Sequence, residues 1–116
     1  MAVMRCGEVR GANLNPNRGR EIGKMRPVLI MQHDALLALE TGMVIVLPLT
    51  TQARASMTHF RPHLPARERL LRDSFVVVEQ PRTLDTAYLG DGPLTTLNAE
   101  EMAAVERGLS TALGIM

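Results

Sequence analysis

Residues 27–49 read PVLIMQHDALLALETGMVIVLPL, and this stretch decides the fold class. It contains two apolar runs of strand length, 27–32 and 43–49, which are rich in branched aliphatic residues. Pro48 lies near the end of the second run, where a strand tolerates the missing backbone N–H. Residues 34–40, between the two runs, look like a short helical turn. The stretch therefore predicts two buried strands with a short helical segment between them.

The segments on either side of this stretch contain further candidate strands, which differ in how clearly the sequence indicates them. Residues 6–12 are a weak strand candidate because they contain two glycines, whereas 74–80 form the most convincing buried strand of the chain. Residues 13–26 are rich in asparagine and glycine and are predicted to form a loop. We expect a short edge strand near 57–63 and one helical turn over 66–71.

The last predicted element is a helix over residues 99–113. Asn98 is suited to cap it, and Glu101 stands at the third helical position, where it completes a capping-box pair. The apolar stripe of this helix consists of Met102, Val105, Leu109, Ala112 and Met116. About five short strands and one terminal helix, without βαβ alternation, predict a mainly β (α+β) fold. We expect a small β-barrel with appended helices, as a single domain over 1–116.

Length and composition exclude several classes of protein. The chain has 116 residues, of which 46% are hydrophobic and 22% charged, as in an ordinary globular domain and unlike a disordered chain. Its longest apolar stretches are far shorter than the roughly 20 residues of a membrane span. The lone cysteine, Cys6, is expected to be a small core residue, and the absence of a leader pattern predicts a cytoplasmic location. The three histidines are not spaced as metal ligands, so we expect no metal and no cofactor.

The near-neutral net charge of +1 hides an asymmetry along the chain. Residues 1–26 carry six basic and two acidic side chains, whereas residues 85–116 carry one basic and five acidic side chains. A basic head and an acidic tail suggest that the head meets an anionic partner. The alternative is that these charges only keep a small protein soluble.

Three segments carry candidate functional side chains. The first is Asn15-Pro-Asn-Arg-Gly-Arg-Glu-Ile-Gly-Lys-Met-Arg26, whose cations and glycines suit phosphate binding by charge and by backbone amides. Arg26 is the best placed of its four cations, because it stands where the loop becomes a buried strand. Pro48-Leu-Thr-Thr-Gln52 and Glu79-Gln-Pro-Arg-Thr83 place polar groups at strand ends. Those two segments either contact phosphates, sugars or bases, or serve as a polar strand cap and a surface ion pair.

Seven short motifs occur in one order along nearly the whole chain. They are Gly7-Glu-Val, Asn15-Pro, Gly19-Arg-Glu, Arg26-Pro-Val-Leu, Pro48-Leu-Thr-Thr-Gln, Arg72-Asp-Ser and Glu79-Gln-Pro-Arg-Thr-Leu-Asp85. Together they resemble the MazF/PemK toxins, which are the ribonuclease halves of bacterial toxin–antitoxin pairs.

The resemblance implies a fold, a reaction and partners. The fold would be an SH3-like β-barrel with short helices and a C-terminal helix, assembled as a homodimer. The reaction would be sequence-specific, metal-independent cleavage of single-stranded mRNA, in which the 2′-hydroxyl attacks the adjacent phosphorus. Its products would carry 2′,3′-cyclic phosphate and 5′-hydroxyl ends. The partner would be a MazE-like antitoxin with an acidic, flexible segment, and the pair would reach operator DNA through the antitoxin.

The resemblance also assigns residues. It implies that Arg26 and Thr50 are catalytic. Glu79 corresponds to the base of the PemK branch, but the partner arginine of that branch is Val77 here, so Glu79 is expected to be either the base or a binding residue. A fixed guanidinium stabilises a charged transition state well, but it holds its proton so strongly that it is a poor base and a more credible acid. The expected RNA-binding residues are Asn15, Arg18, Arg20, Lys24, Gln52, Gln80 and Arg82.

Two departures and two alternatives accompany this assignment. Arg10 stands where the family usually has Trp or Tyr, and Arg20 where it commonly has Ser or His, so the departures leave the substrate contacts and the cut-site preference open but not the class of chemistry. One alternative is a CcdB-like toxin that poisons gyrase by binding it, without ribonuclease activity. The other is a catalytically silent SH3-like binding module. The presence of both Arg26 and the motif from Thr50 to Gln52 favours the nuclease.

Overall fold

The two apolar runs of the central stretch form neighbouring strands of an antiparallel sheet. In a computed structural model, which describes residues 4–14 and 25–115, they are β2 (Met25–Ile30) and β3 (Met43–Thr50). Val28 lies opposite Pro48 in this pair. The helical segment between them is the single turn α1 (Asp34–Leu37), where His33 Nδ1 accepts a hydrogen bond from the Ala35 N–H at 3.0 Å. This confirms the predicted helical turn, but the helix ends at Leu37 rather than at residue 40.

Five more strands complete the sheet. They are β1 (Glu8–Asn13), β4 (His63–Leu64), β5 (Ser74–Val76), β6 (Arg82–Asp85) and β7 (Thr95–Thr96). The strand order is β4-β5-β3-β2-β1-β7. The edge of β3 that faces away from β2 pairs with two strands. Its first half pairs with β6, and its end pairs with β5. The sheet curls into a half-barrel, which confirms the mainly β fold class.

Two predicted elements differ from the structure because the backbone turns. The predicted strand over 74–80 ends at Val76, because the Val78 N–H donates back to the Val76 carbonyl at 3.0 Å. Residues 76–78 are nevertheless buried, as the apolar pattern indicates. The prediction of a helical turn over 66–71 is wrong. Arg67 and Leu70 form a β-bridge instead, and Glu68 has a left-handed φ of 52°, which a right-handed helix excludes.

Other boundaries also move. The expected edge strand near 57–63 is only the two-residue β4, and a 3-10 turn over Ala55–Met57 precedes it. The strands β6 and β7 have no counterpart in the sequence-based prediction.

Two apolar clusters form the core, one on each face of the sheet. The larger cluster includes Val9, Leu29, Leu47, Val76 and Val78, and the smaller one consists of Ala12, Val28, Ile30, Val44, Val46 and Leu84. Cys6 belongs to neither cluster and is only half-buried, so the prediction of a core cysteine is wrong. Its backbone N–H donates to Asp34 Oδ1 at 2.7 Å, which holds Cys6 at the surface beside α1.

The helix α2 (Ala99–Leu113) covers the larger cluster, as predicted. Val105 is fully buried, and Met102 and Leu109 pack against the cluster. The capping box is present, because Asn98 Oδ1 accepts from the Glu101 N–H at 2.8 Å and Glu101 Oε1 accepts from the Asn98 N–H at 2.9 Å. The apolar stripe ends earlier than predicted, since Ala112 is exposed. Met116 lies outside the described residues.

An arginine joins α2 to the sheet. The Arg67 guanidinium donates to both carboxylate oxygens of Glu101, to Thr95 Oγ1 at 3.0 Å and to the Thr96 carbonyl at 2.9 Å. The hydrogen bonds from Arg67 lower the pKa of Glu101, and burial opposes this effect only in part. Arg67 thereby ties the first turn of the helix to β7.

We expect Glu101→Gln to lower the free energy of unfolding by about 1 kcal/mol at pH 7. Gln retains the capping box and removes only the charge that faces Arg67. Because the folded-state pKa of Glu101 lies below its unfolded value, the stabilisation is present above the ordinary glutamate pKa. It is lost as the pH falls through the folded-state pKa. Urea unfolding should therefore show a smaller difference between variant and wild type at pH 3 than at pH 7, and an equal difference at both values would contradict this prediction.

Candidate active site

The register of the sheet explains why predicted residues from distant segments meet. Val28 pairs with Pro48, so two residues further along the same antiparallel pair Arg26 comes beside Thr50. Thr50 is also the residue of β3 opposite Phe75 of β5. The ends of three strands thus converge at one edge of the half-barrel.

A cleft of about 480 Å³ opens at this edge. Five predicted site residues line it, and they are Arg26, Thr50, Gln52, Gln80 and Arg82. Thr50 Oγ1 accepts a hydrogen bond from the Gln52 N–H at 3.2 Å, which leaves the hydroxyl hydrogen available to a ligand. Arg82 Nη2 donates to the Leu14 carbonyl at 3.2 Å. The cleft therefore combines guanidinium, hydroxyl and amide groups, as recognition of a phosphodiester requires.

The remaining predicted site residues stand apart from this set. Asn15, Arg18, Arg20 and Lys24 lie outside the described residues. Glu79 does not line the cleft but contacts a residue that does. Its carboxylate oxygen Oε1 accepts from Arg61 Nε at 3.3 Å, and Oε2 accepts from Arg61 Nη2.

The ion pair between Arg61 and Glu79 fixes the charge state of both groups. The hydrogen bonds from Arg61 lower the pKa of Glu79, with burial opposing them, and the same bonds raise the pKa of Arg61. Glu79 is therefore ionised at neutral pH and is a weaker base than an isolated glutamate. Val77, where the resemblance expects an arginine beside Glu79, is buried with 5% exposure, and Arg61 meets Glu79 instead.

Sequence reasoning missed two arginines of the cleft. Arg54 and Arg61 come from the segment between β3 and β4, where the sequence pattern is irregular. With Arg26 and Arg82 they bring four guanidinium groups to the cleft, and no acidic side chain is among its lining residues in the described part of the chain. Glu79 was the sequence signal for one of them. A carboxylate that directly follows a run of buried valines needs a cationic partner, and that partner comes from another segment of the chain. The electrostatics of the cleft suit a polyanion.

Arg10 is not among the residues that line the cleft. Its side chain is buried at 4% exposure, and its Nε donates to Glu8 Oε1 at 3.0 Å. It lines a second, larger hollow of about 830 Å³ beside α1, which contains none of the predicted site residues. Arg10 is therefore a structural ion-pair residue.

The described residues contain neither a candidate metal site nor a helix that could span a membrane. Within 4–14 and 25–115, no three His, Cys, Asp or Glu side chains are grouped so that they could hold a metal ion. None of the helices described there is long and apolar enough to cross a bilayer.

Comparison with known proteins gives consistent matches over nearly the whole chain. Residues 5–113 match a family described as the PemK-like, MazF-like toxin of type II toxin–antitoxin systems. The Endoribonuclease MazF of Staphylococcus saprophyticus is 31% identical over 121 residues, which cover 97% of this chain and 93% of that protein. The crystal structure of MazF from Deinococcus radiodurans is 27% identical, with a TM-score of 0.77 and coverage of 98% and 99%. A MazE–MazF crystal structure from the same organism is 25% identical, with a TM-score of 0.75 and the same coverage.

Proposed function

The chain belongs to the PemK-like, MazF-like toxins of type II toxin–antitoxin systems, and from this premise we propose that its arginine-lined cleft is where it cuts RNA. It is an endoribonuclease toxin, like its relative from Staphylococcus saprophyticus. The single observation that carries the placement is the convergence of Arg26, Thr50 and Arg82 from three strands on one cleft. The relatives named above give no support to the gyrase-poisoning alternative or to a silent binding module.

The proposed substrate is single-stranded mRNA, cut at a short sequence motif without a metal ion. The 2′-oxygen forms a bond to the adjacent phosphorus, and the bond from phosphorus to the 5′-oxygen breaks. The 2′-hydroxyl proton leaves to a base, which is either Glu79 or solvent water, and the departing 5′-oxygen gains a proton. The products are a 2′,3′-cyclic phosphate and a 5′-hydroxyl. Negative charge gathers on the non-bridging oxygens in the transition state, so the cleft must supply fixed positive groups.

Arg26 and Thr50 are the proposed catalytic pair. Arg26 pairs with Ala12 of β1 near the start of β2, and from Val28 onward the same strand is buried and also pairs with β3. The Arg26 guanidinium stabilises the negative charge on the non-bridging oxygens of the phosphate. It also donates a hydrogen bond or a proton to the leaving 5′-oxygen. The Thr50 hydroxyl, which already accepts from the Gln52 N–H, donates its hydrogen to a non-bridging oxygen. Gln52, Gln80 and Arg82 bind neighbouring parts of the RNA, and so do Asn15, Arg18, Arg20 and Lys24.

Glu79 completes the proposed catalytic set, and two roles are open to it. It either accepts the 2′-hydroxyl proton or holds Arg61 in place. The ion pair with Arg61 lowers the pKa of Glu79, which favours the second role.

We propose a MazE-like antitoxin, a homodimer and a cytoplasmic location for this toxin. The MazE–MazF structure from Deinococcus radiodurans supports an antitoxin partner. An acidic antitoxin segment would compete with RNA for the same arginines, and inhibition would weaken as salt rises. Operator DNA would be contacted through the antitoxin. The exposed Leu36 and Met43, which line the larger hollow, support a second copy as the neighbour of that face.

The substrate class can be tested with three nucleic acids of one sequence in excess EDTA. We expect the protein to cut single-stranded RNA, and to leave both the RNA duplex and the single-stranded DNA intact. The DNA lacks the attacking 2′-hydroxyl, and the duplex holds the phosphate away from in-line attack. A gyrase supercoiling assay serves as the counter-test. Inhibition of gyrase together with intact RNA would overturn the proposed function.

A further inference from the structure

Besides Arg26, the cleft contains the guanidinium of Arg61. An ion pair with Glu79, which does not itself line the cleft, holds this guanidinium in place. We propose that Arg61 binds a backbone phosphate of the RNA, and that Glu79 is a positioning residue that holds Arg61 rather than the proton acceptor of the reaction. This inference rests on the proposed function and assigns a residue that the sequence motifs do not contain.

The backbone around Arg61 is anchored on both sides. The Arg61 N–H donates to the Met57 carbonyl at 3.0 Å, which closes the turn that follows β3. The carbonyl of the next residue, Pro62, accepts from the Val76 N–H of β5 at 2.9 Å. Because β5 also pairs with the end of β3, these bonds connect Arg61 to the strand that carries Thr50.

The side chain of Arg61 is fixed as well. It is only 11% exposed, and it meets both carboxylate oxygens of Glu79 through Nε and Nη2. A two-point contact of this kind defines the plane of the guanidinium as well as its position. Arg61 therefore has little side-chain entropy left to lose when a ligand binds.

The guanidinium keeps donors for a ligand. It has five N–H groups, and the Glu79 contact uses two of them, the one on Nε and one on Nη2. Nη1 makes no hydrogen bond to any residue in 4–14 or 25–115, and the side chain lines the cleft. An anchored arginine with unused donors in an anion-binding cleft is suited to a phosphate.

Glu79 is suited to anchoring and poorly suited to proton transfer. Both of its oxygens already accept from Arg61, and it is not among the residues that line the cleft. Arg61 also lowers the pKa of Glu79, which weakens it as a base. Its contribution to cleavage should therefore pass through Arg61.

A double-mutant cycle tests this dependence. We expect Arg61→Gln to raise the Kd for single-stranded RNA about 30-fold and Glu79→Gln about 5-fold. Binding is measured with 2′-O-methyl RNA, which cannot react, and kcat/KM with the unmodified strand. In the Arg61→Gln background, Glu79→Gln should cause no further loss in either quantity. If the losses of the two single variants multiply in the double variant, Glu79 acts independently of Arg61, and the inference is overturned.

Salt dependence separates phosphate binding from a purely structural role. We expect Arg61→Gln to reduce the slope of log K against log salt by about 0.7, the value for one phosphate contact on a single strand. Arg67→Gln is the matched control, because Arg67 makes the same two-point pair with Glu101 but does not line the cleft. It should lower stability and leave the slope unchanged. An unchanged slope for Arg61→Gln would also overturn the inference.

Two further comparisons distinguish a failure of the inference from a folding defect and from a failure of the proposed function. If Arg61→Gln fails to fold, Arg61→Met replaces it in the cycle, since it retains an aliphatic stem but neither the charge nor the donors that meet Glu79. With Met, Glu79→Gln should again add no loss. A wild-type protein that neither cuts nor binds RNA would refute the proposed function, and the inference with it. Multiplied losses in an active enzyme would refute the inference alone.

Discussion

Arg26→Ala is expected to lower kcat/KM for RNA cleavage about 1000-fold, the loss typical of removing a preorganised charge-stabilising group. The folding stability should change by less than about 0.5 kcal/mol, because Arg26 is exposed and contributes to no apolar cluster. Arg26→Lys should recover little of the activity, since an ammonium cannot present two donors in one plane.

The control for this prediction is another exposed arginine outside the cleft. Arg107 lies on α2, in the acidic part of the chain, and Arg107→Ala should cut RNA at the wild-type rate. Initial rates under substrate excess, with circular dichroism to confirm folding, measure both variants. Near-normal cleavage by a folded Arg26→Ala protein would contradict the catalytic assignment.

Glu8→Gln is expected to lower the free energy of unfolding by about 3 kcal/mol. Arg10 is buried at 4% exposure, and its Nε and Nη2 each lie 3.0 Å from Glu8 Oε1. Removing the carboxylate charge leaves the guanidinium buried without a counter-charge, and that desolvation cost is no longer offset. Urea unfolding at pH 7 measures the difference.

A double variant distinguishes the charge effect from a packing effect. Replacing the pair together, as Glu8→Leu with Arg10→Leu, should cost less than about 1 kcal/mol, because no unpaired charge then remains. The resemblance implies an aromatic ring at the position of Arg10 in the family, which fits the idea that an apolar group can occupy this position. If Glu8→Gln cost no more than the double variant, water would have to solvate Arg10 in the folded protein.

The parts of the fold predicted from sequence were those with a strong, regular pattern. The strands β2 and β3 carry uninterrupted apolar runs, and α2 carries both a capping box and an apolar stripe. The errors arose where single backbone conformations decide the path, such as the positive φ of Glu68 and the turn from Val76 to Val78. The strands β6 and β7 were missed because short segments of mixed polarity gain their strand conformation from neighbours rather than from their own residues.

The site was predicted unevenly for a related reason. Arg26, Thr50 and Arg82 stand in short motifs beside regular strands, so both resemblance and position indicated them. Arg61 lies in an irregular segment, and its importance depends on its contact with Glu79, which is 18 residues away in sequence. Only tertiary structure brings these two side chains together.

The ends of the RNA fragments test the central claim most directly. A single-stranded RNA is incubated with the protein in excess EDTA, and the masses of the fragments are measured. We predict that each upstream fragment ends in a 2′,3′-cyclic phosphate and each downstream fragment begins with a 5′-hydroxyl, because the 2′-oxygen is the nucleophile. Upstream fragments with a free 3′-hydroxyl and downstream fragments with a 5′-phosphate would mean that water attacks the phosphorus. That result would contradict the proposed chemistry of the cleft.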